Sequence, residues 1–209
     1  MIDFYTWTTP NGRKVSILLE ELGLDYEVHA ININQGEQKK PEFLKISPNN
    51  KIPAIVERDT GLSLMESGAI LVYLAEKYGK FLPTGQAGRA RVMEWLMWQM
   101  GGFGPMLGQT HHFLHFNSGQ SKYAEIRFSE ETKRLYSILN NRLEGRDYIC
   151  DNYTIADMSC WPWVARYEWQ RIDLADYPNV RTWYKRLLDR SAVQNGYHIP
   201  RNMGEIPQG

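Results

Sequence analysis

The chain of 209 residues carries 24 basic and 24 acidic side chains, so its formal net charge is zero, and 43% of its residues are hydrophobic. This composition is that of a folded globular protein, and it argues against a broad nucleic-acid-binding surface. No apolar run approaches the roughly 20 residues that span a bilayer, and the N-terminus lacks a secretory pattern. Cys150 and Cys160 have the spacing of neither a redox CxxC pair nor a zinc site. We therefore expect a cytoplasmic protein that binds neither nucleic acid nor membrane.

The first 80 residues alternate between strand and helix patterns. Apolar residues at alternate positions predict strands at residues 2–7, 26–30, 52–56 and 62–65. Helical spacing predicts a helix over residues 15–22 that ends at Gly23, a short helical turn at 41–44, and a helix that Ser67 caps and Gly79 ends. Turn residues at 8–12, 47–51 and 59–61 separate these elements.

The order of these elements predicts the topology of the sheet. A helix between the first two strands favours parallel pairing, whereas the tight turn at 59–61 makes the last two strands antiparallel. The first part of the chain is therefore predicted to be an α/β domain with a mixed four-stranded sheet.

The remainder of the chain shows helix patterns and no convincing strand. We predict helices over residues 92–99 and 123–143, with the first interrupted at residues 101–105 by glycine and proline. Thr154 and Asp157 have capping-box spacing and open a further helix, the last helix covers 180–188, and residues after 195 form a tail. The predicted organisation is an α/β domain at 1–80, a linker at 81–88 and an all-α domain at 89–209.

Five short segments, taken in order, carry a resemblance to a known family. They are residues 9–12 (TPNG), 47–56 (SPNNKIPAIV), 66–70 (ESGAI), 104–109 (GPMLGQ) and 160–163 (CWPW). With the predicted order of elements, the chain resembles the glutathione S-transferase superfamily, and within it the bacterial Nu class of glutathione-dependent disulfide-bond oxidoreductases. The resemblance implies a thioredoxin-like N-terminal domain, a helical domain that completes the substrate pocket, glutathione as co-substrate, no metal, and a homodimer.

Two dipeptides gain a binding role from this resemblance. On sequence alone Pro53 is an ordinary trans proline at a strand start. The resemblance implies a cis Ile52–Pro53 bond, which turns the backbone of Ile52 toward an extended tripeptide. Ser67 is a helix cap by its residue type, and a helix N-terminus also suits the α-carboxylate of glutathione, while Glu66 suits the α-ammonium.

Three further residues are assigned to glutathione binding by resemblance alone. Lys51 and Gln38 are expected near the carboxylate at the glycine end of the ligand, and Arg127 is expected to reach the ligand from the long helix. The default for each side chain is exposure to solvent.

Thr9 and Asn11 decide the predicted mechanism. Both are common turn residues, and that interpretation stays open. The resemblance places them where most of the superfamily has Tyr, Ser or Cys beside the glutathione sulfur, so their side chains are expected to donate hydrogen bonds that stabilise a thiolate. Neither can form a covalent redox centre, so the reacting sulfurs are expected to belong to glutathione and its disulfide partner. Tyr5 is an alternative donor, although its strand position favours packing.

Several alternatives accompany these predictions. His111 and His115 have the i, i+4 spacing of a metal pair, but no acidic or Cys partner completes a site, so we expect packing. The predicted function is reduction of small disulfides by thiol–disulfide exchange with glutathione, with weak transferase or peroxidase activity. Its rivals are a conventional transferase that conjugates electrophiles and a non-catalytic binding module that uses the same fold.

Overall fold

The computed structural model describes all residues, Met1–Gly209, and its N-terminal part contains one mixed four-stranded sheet. The strands are β1 (Ile2–Thr6), β2 (Tyr26–Ala30), β3 (Ala54–Glu57) and β4 (Ser63–Met65). Their order in the sheet is β2-β1-β3-β4, with β1 parallel to β2 and β3 antiparallel to both β1 and β4. The predicted fold class and strand directions are confirmed.

Three α-helices accompany the sheet: α1 (Pro10–Leu22) lies between β1 and β2, α2 (Pro41–Ile46) lies between β2 and β3, and α3 (Ser67–Tyr78) follows β4. Helix α1 starts five residues before the predicted helix, because Thr9 and Pro10 act as cap and first helical residue rather than as a turn. Both predicted helix ends are confirmed, with Gly23 and Gly79 left-handed at φ 65°.

A short helix near the C-terminus, α9 (Ser191–Tyr197), corrects the prediction of a tail after residue 195 and of a last helix at 180–188. It lies against α1: Ser16 Oγ donates to the carbonyl of Gly196 at 2.6 Å. A Cβ on Gly196 would stand 2.7 Å from the backbone nitrogen of Ile17, so only glycine allows this approach. The sequence signal is weak because α9 has only 7 residues, and a helix this short depends on tertiary packing for its stability.

The chain divides into two compact units. The first comprises Met1–Leu82 with Asp189–Ile206, and the second comprises Pro83–Leu188 with Pro207–Gly209. Residues 189–206, which the sequence division assigns to the helical domain, are thus part of the first unit. Their packing on α1, including the Arg190–Glu21 ion pair, accounts for this.

The second unit is helical, as predicted. Its α-helices are α4 (Gln86–Trp98), α5 (Gly104–Thr110), α6 (Lys122–Arg142), α7 (Ile155–Val164) and α8 (Pro178–Leu188). The α-helix is interrupted close to the predicted place, since α4 ends at Trp98, but Gln99–Phe103 continues the helical path as a π-helical turn. A second π-helical turn, His111–Phe116, follows α5. A widened turn accommodates an additional residue without breaking the helix.

The capping box predicted at the start of α7 is confirmed, and it is the polar centre of this unit. Thr154 is the N-cap, and the Asp157 carboxylate accepts from the backbone nitrogen of Thr154 at 3.0 Å. The same carboxylate accepts from the nitrogen of Ile149 and from Nε1 of Trp183, both at 2.9 Å. One fully buried side chain therefore joins α7, the preceding loop and α8.

The two histidines considered for metal binding pack against aromatic rings. His111 stacks on Trp163 at 5.7 Å and shares a 3.0 Å hydrogen bond with Gln170, while His115 stacks on Trp169 at 4.3 Å. Both imidazoles thus stack on tryptophan rings of the second unit, and a ring nitrogen of His111 also takes part in a hydrogen bond. No helix in the structure combines the length and the apolar character that crossing a membrane requires.

The burial of His111 predicts a specific pH dependence of stability. Burial, reinforced by the charge of Arg166, lowers the pKa of His111 to about 3. An unfolded histidine titrates near pH 6.5. Between about pH 6.5 and pH 3 the unfolded state therefore binds one more proton than the folded state, and the free energy of unfolding decreases as the pH is lowered. The variant His111→Gln lacks this titrating group. We expect its free energy of unfolding, relative to that of wild type, to increase by up to about 1.4 kcal/mol for each unit by which the pH is lowered in this range.

Urea unfolding of both proteins across this pH range measures the difference. The exposed His112→Gln, in the same π-helical turn, controls for loss of a surface imidazole. The prediction would be contradicted if the difference in free energy of unfolding between wild type and His111→Gln did not change with pH.

Candidate active site

Six of the nine site residues predicted from the sequence line one cleft in the first unit. The cleft has a volume of about 300 Å³. Its lining combines these six residues with two that the sequence analysis did not select: Asn11, Lys51, Ile52, Pro53, Glu66 and Ser67, with Ser47 and Met65. They come from the start of α1, the loop before β3, and the junction of β4 with α3.

The first wall is the N-terminus of α1, which approaches the end of β1 closely. A Cβ on Gly12 would stand 2.5 Å from the carbonyl oxygen of Trp7 and would also clash with the Thr6 hydroxyl. The Thr9 hydroxyl accepts from the nitrogen of Gly12 at 3.2 Å, which makes Thr9 the helix cap and leaves its proton available for donation. Asn11, the second residue of the helix, is thereby directed to the cleft.

The second wall is the loop from Ser47 to Pro53. Ser47 is fully buried, and its hydroxyl donates to the carbonyl of Lys51 at 2.8 Å. Asn50 takes a left-handed conformation, φ 59°, which closes the turn and leaves the Lys51 side chain exposed. The Ile52–Pro53 bond is cis, as expected from the resemblance. Ile52 precedes the paired residues of β3, so its backbone lies outside the sheet ladder.

The third wall is the start of α3, where the structure corrects one detail. Glu66 rather than Ser67 occupies the N-cap position, and its side chain makes no capping bond. Glu66 has φ 68°, which is uncommon for a residue with a side chain. Its carboxylate accepts from Nδ2 of Asn49 at 3.1 Å, and Ser67 is the first residue of the helix. The Glu66 carboxylate therefore lies next to the N-terminus of α3 and the Ser67 hydroxyl. This arrangement suits a ligand that carries a positive and a negative group close together.

A buried lysine behind this wall was not predicted. Lys14 is 1% exposed, and its Nζ donates to the Ser67 hydroxyl at 3.3 Å. It follows Asn11 by three residues, so both side chains lie on the same face of α1. The three-residue spacing from Asn11 could have indicated from the sequence that Lys14 lies on the side of the site. A lysine near the start of a helix is, however, usually exposed to solvent, so the sequence analysis did not select it.

The remaining predicted residues lie elsewhere. Gln38 is in a 3₁₀ turn, Glu37–Lys39, and its Oε1 is buried without a hydrogen-bond partner. Arg127 is exposed on α6 in the second unit, where its charge contributes, after that of Arg134, to lowering the pKa of Glu131. Tyr5 stacks on His29 at 4.6 Å, as expected for a packing role.

The two cysteines are both free and buried in the second unit. Burial raises the pKa of Cys150 to about 11, so its thiolate is scarce at neutral pH. The side chains of Asp3, Glu27 and His29 approach one another as metal ligands do, but Arg58 pairs with both carboxylates. This cluster is an ion-pair network.

Comparison with known proteins supplies the family context. The sequence matches the glutathione S-transferase N-terminal domain over residues 2–76 and the C-terminal domain over residues 103–191. It is 53% identical, over 92% of this chain and 93% of the relative, to the disulfide-bond oxidoreductase YfcG of Escherichia coli strain K12.

Two solved structures are similar over nearly the whole chain. A glutathione transferase from Burkholderia graminis, with two glutathione molecules bound per subunit, has a TM-score of 0.90 and 43% identity over 95% of this chain and 88% of its own. One from Pseudomonas putida, with one glutathione disulfide bound per subunit, has a TM-score of 0.88 and 43% identity over 95% and 91% of the two chains.

The close approach of α1 to β1 predicts the effect of one methyl group. We expect Gly12→Ala to lower the free energy of unfolding by about 1–3 kcal/mol, because the clash is with a backbone oxygen that cannot rotate away. Gly101→Ala is the matched control, since a Cβ there meets open space. Urea unfolding compares the two, and equal stability of both variants would contradict the assigned constraint.

Proposed function

The chain belongs to the glutathione S-transferase family, and we propose that it is a glutathione-dependent disulfide-bond reductase that uses the cleft at the start of α1 and α3. Two molecules of glutathione reduce one disulfide: the first thiolate displaces one thiol and forms a mixed disulfide, and the second releases the other thiol and forms glutathione disulfide. The two hydrogens of the glutathione thiols end on the two released thiols, and the new S–S bond of glutathione disulfide replaces the S–S bond that is cleaved. Weak transferase or peroxidase activity accompanies this reaction.

The observation that carries this proposal is the charge pattern of the cleft. An acidic group (Glu66) adjoins a helix N-terminus with its hydroxyl (Ser67), and a lysine (Lys51) is exposed at the other side of the lining. Glutathione has an ammonium and a carboxylate at its γ-glutamyl end and a second carboxylate at its glycine end. The proposed orientation pairs Glu66 with the ammonium, Ser67 with the adjacent carboxylate and Lys51 with the glycine carboxylate.

The backbone of Ile52 serves the middle of the ligand in this proposal. It lies outside the ladder of β3, beside Pro53, so its polar groups can pair with the cysteinyl peptide of glutathione as an added strand would. Gln38, whose buried Oε1 has no partner, is assigned to the glycine end, and the guanidinium of Arg127 on α6 is assigned to the ligand as well. In this proposal the first unit binds glutathione through the cleft.

Thr9 and Asn11 stabilise the sulfur in the proposed reaction. Both residues lie at the N-terminus of α1, where the helix dipole also favours negative charge. Hydrogen bonds to the charged form lower a thiol pKa and stabilise a leaving thiolate. Because the cysteines are buried in the second unit, the exchanging sulfurs are those of the ligands.

We also propose that the protein acts as a cytoplasmic homodimer. The cytosolic glutathione pool is reducing, which supplies the electrons for the reaction and suits two free cysteines. Large apolar side chains of the second unit, Met97, Tyr123 and Ile126, are exposed and favour an association surface.

A pair of assays tests the proposed activity. With reduced glutathione, we expect faster turnover of hydroxyethyl disulfide than of a chloronitrobenzene electrophile. Conjugation without disulfide turnover would indicate a conventional transferase. Calorimetry adds a third outcome: no heat with either reduced or oxidised glutathione would indicate a non-catalytic module.

The role of Asn11 predicts a change in rate rather than in binding. We expect Asn11→Ala to lower kcat for disulfide reduction by about tenfold or more, because a hydrogen bond to a charged group is lost. Asn49→Ala is the matched control. It removes the amide that holds Glu66, so it should raise KM while kcat stays near wild type. Wild-type kcat in Asn11→Ala would rule out the assigned role.

A further inference from the structure

We propose that Arg201 makes the protein selective for disulfides that carry a carboxylate, by binding this carboxylate beside Trp7 near the N-terminus of α1. This inference rests on the proposed function and deepens it, because it names the class of disulfide that the site prefers. The sequence analysis did not select Arg201, which lies in the segment that it treated as a tail.

The segment that carries Arg201 follows α9 and belongs to the first unit. At the start of this segment, Nε of Arg13 donates to the carbonyl of Tyr197 at 2.9 Å, and Cζ of Arg13 lies 3.5 Å from the centre of the Tyr197 ring. Toward its end, the side chain of Ile206 is buried. The segment is therefore anchored on both sides of Arg201, which gives the arginine a defined position on this unit.

The guanidinium of Arg201 lies over the indole of Trp7. Its Cζ atom is 4.6 Å from the centre of the ring, which is the distance of a cation–π contact. Trp7 is only 7% exposed whereas Arg201 is exposed, so the guanidinium covers the indole on its solvent side. The contact holds the positive charge at the surface of the protein and against an apolar ring.

The N–H groups of this guanidinium are not used within the protein. Arg201 forms no hydrogen bond and no ion pair with another residue, in contrast to Arg58, which pairs with two carboxylates. A guanidinium presents its N–H donors in a planar fork that matches the two oxygens of a carboxylate. Arg201 is therefore positioned by an aromatic ring and has its donors available for an anion.

Trp7 connects this arginine to the proposed reaction site. The backbone nitrogen of Thr9 donates to the carbonyl of Trp7 at 2.7 Å. The same carbonyl lies against Gly12, where a Cβ would stand 2.5 Å from it. The residue that supports Arg201 is thus the one on which the start of α1 packs. In the proposed reaction the disulfide is attacked at Thr9, so the rest of the substrate extends from a point close to Arg201.

The charges at this position favour an anionic substrate. The first turn of α1 contains no acidic residue, and its dipole adds to the positive charge of Arg201. A carboxylate on the substrate gains a charge-assisted hydrogen bond, a neutral hydroxyl gains little, and an ammonium is repelled. Because the carboxylate is remote from the reacting sulfurs, Arg201 contributes to substrate binding, and its loss is expected in KM rather than in kcat.

Three small disulfides of similar length and different charge test the inference. They are dithiodipropionate with carboxylates, hydroxyethyl disulfide with neutral hydroxyls, and cystamine with ammonium groups. Since their intrinsic reactivities differ, each variant is compared with wild type on the same disulfide, after subtraction of the uncatalysed exchange with glutathione. We expect Arg201→Gln to raise KM for dithiodipropionate by about tenfold, while its kcat and the KM for hydroxyethyl disulfide stay within about twofold of wild type. The KM for cystamine should not rise.

Two further variants control for charge and for packing. Arg201→Lys keeps the positive charge without the planar fork, so it should recover part of the affinity for dithiodipropionate. Arg146→Gln removes an exposed positive charge from the loop after α6 and should leave all three disulfides unaffected. Thermal unfolding and the KM for glutathione are measured for each variant, because Arg201 also covers Trp7. Both should stay near their wild-type values in Arg201→Gln.

The outcomes separate this inference from the proposed function. If wild type turned over none of the three disulfides, the proposed function would fail and this inference with it. If wild type reduced hydroxyethyl disulfide but Arg201→Gln changed all three substrates equally, Arg201 would have a structural role, and the inference alone would be overturned. The same conclusion follows if Arg201→Gln leaves the KM for dithiodipropionate unchanged, or if Arg146→Gln raises it as much.

Discussion

The close approach of α1 to the end of β1 is the constraint on which the cleft depends. Gly12 admits it, because any side chain at this position would meet the carbonyl of Trp7. Once the start of the helix is fixed, its 3.6-residue period sets the direction of every residue in the first two turns. Thr9 caps the helix, Asn11 lines the cleft, and Lys14 reaches Ser67. Three chemical roles therefore follow from one packing contact.

The opposite side of the cleft is fixed by a different kind of interaction. The loop from Ser47 to Pro53 has no ladder of its own, so its shape depends on the buried Ser47 hydroxyl and on the left-handed Asn50. The contact of Asn49 with Glu66 ties this loop to the start of α3. Helix packing therefore positions the residues proposed to bind the sulfur and the α-carboxylate of glutathione. Loop hydrogen bonds position the residues proposed to bind its cysteinyl peptide and its glycine carboxylate.

Sequence patterns predicted those features whose signal is local. Strand alternation, the glycine stops at Gly23 and Gly79, and the capping box of Thr154 and Asp157 each depend on a few neighbouring residues, and all are confirmed. The misassigned features depend on distant partners. Helix α9 exists through its contact with α1, and the π-helical turn at Gln99–Phe103 contains glycines that a local pattern treats as a break.

The same distinction applies to the site. Residues adjacent in sequence, such as Glu66 with Ser67 and Lys51 with Ile52, were selected together and do line one cleft. Lys14 was missed because its partner is 53 residues away and because burial of an ammonium is invisible in a single sequence. The resemblance supplied the cis Ile52–Pro53 bond, which the residue types alone would have given as trans.

The buried cysteines explain why the chemistry of the proposed reaction falls to the ligand. With the pKa of Cys150 near 11, only about one molecule in ten thousand carries its thiolate at neutral pH. A small peptide thiol starts from a pKa of about 8.5, so a modest stabilisation by donors at the start of α1 makes the thiolate abundant. An enzyme built this way needs no redox-active side chain. The protein contributes hydrogen-bond donors and charges at fixed positions. Although the net charge of the chain is zero, the N-termini of α1 and α3 give the cleft a local positive potential.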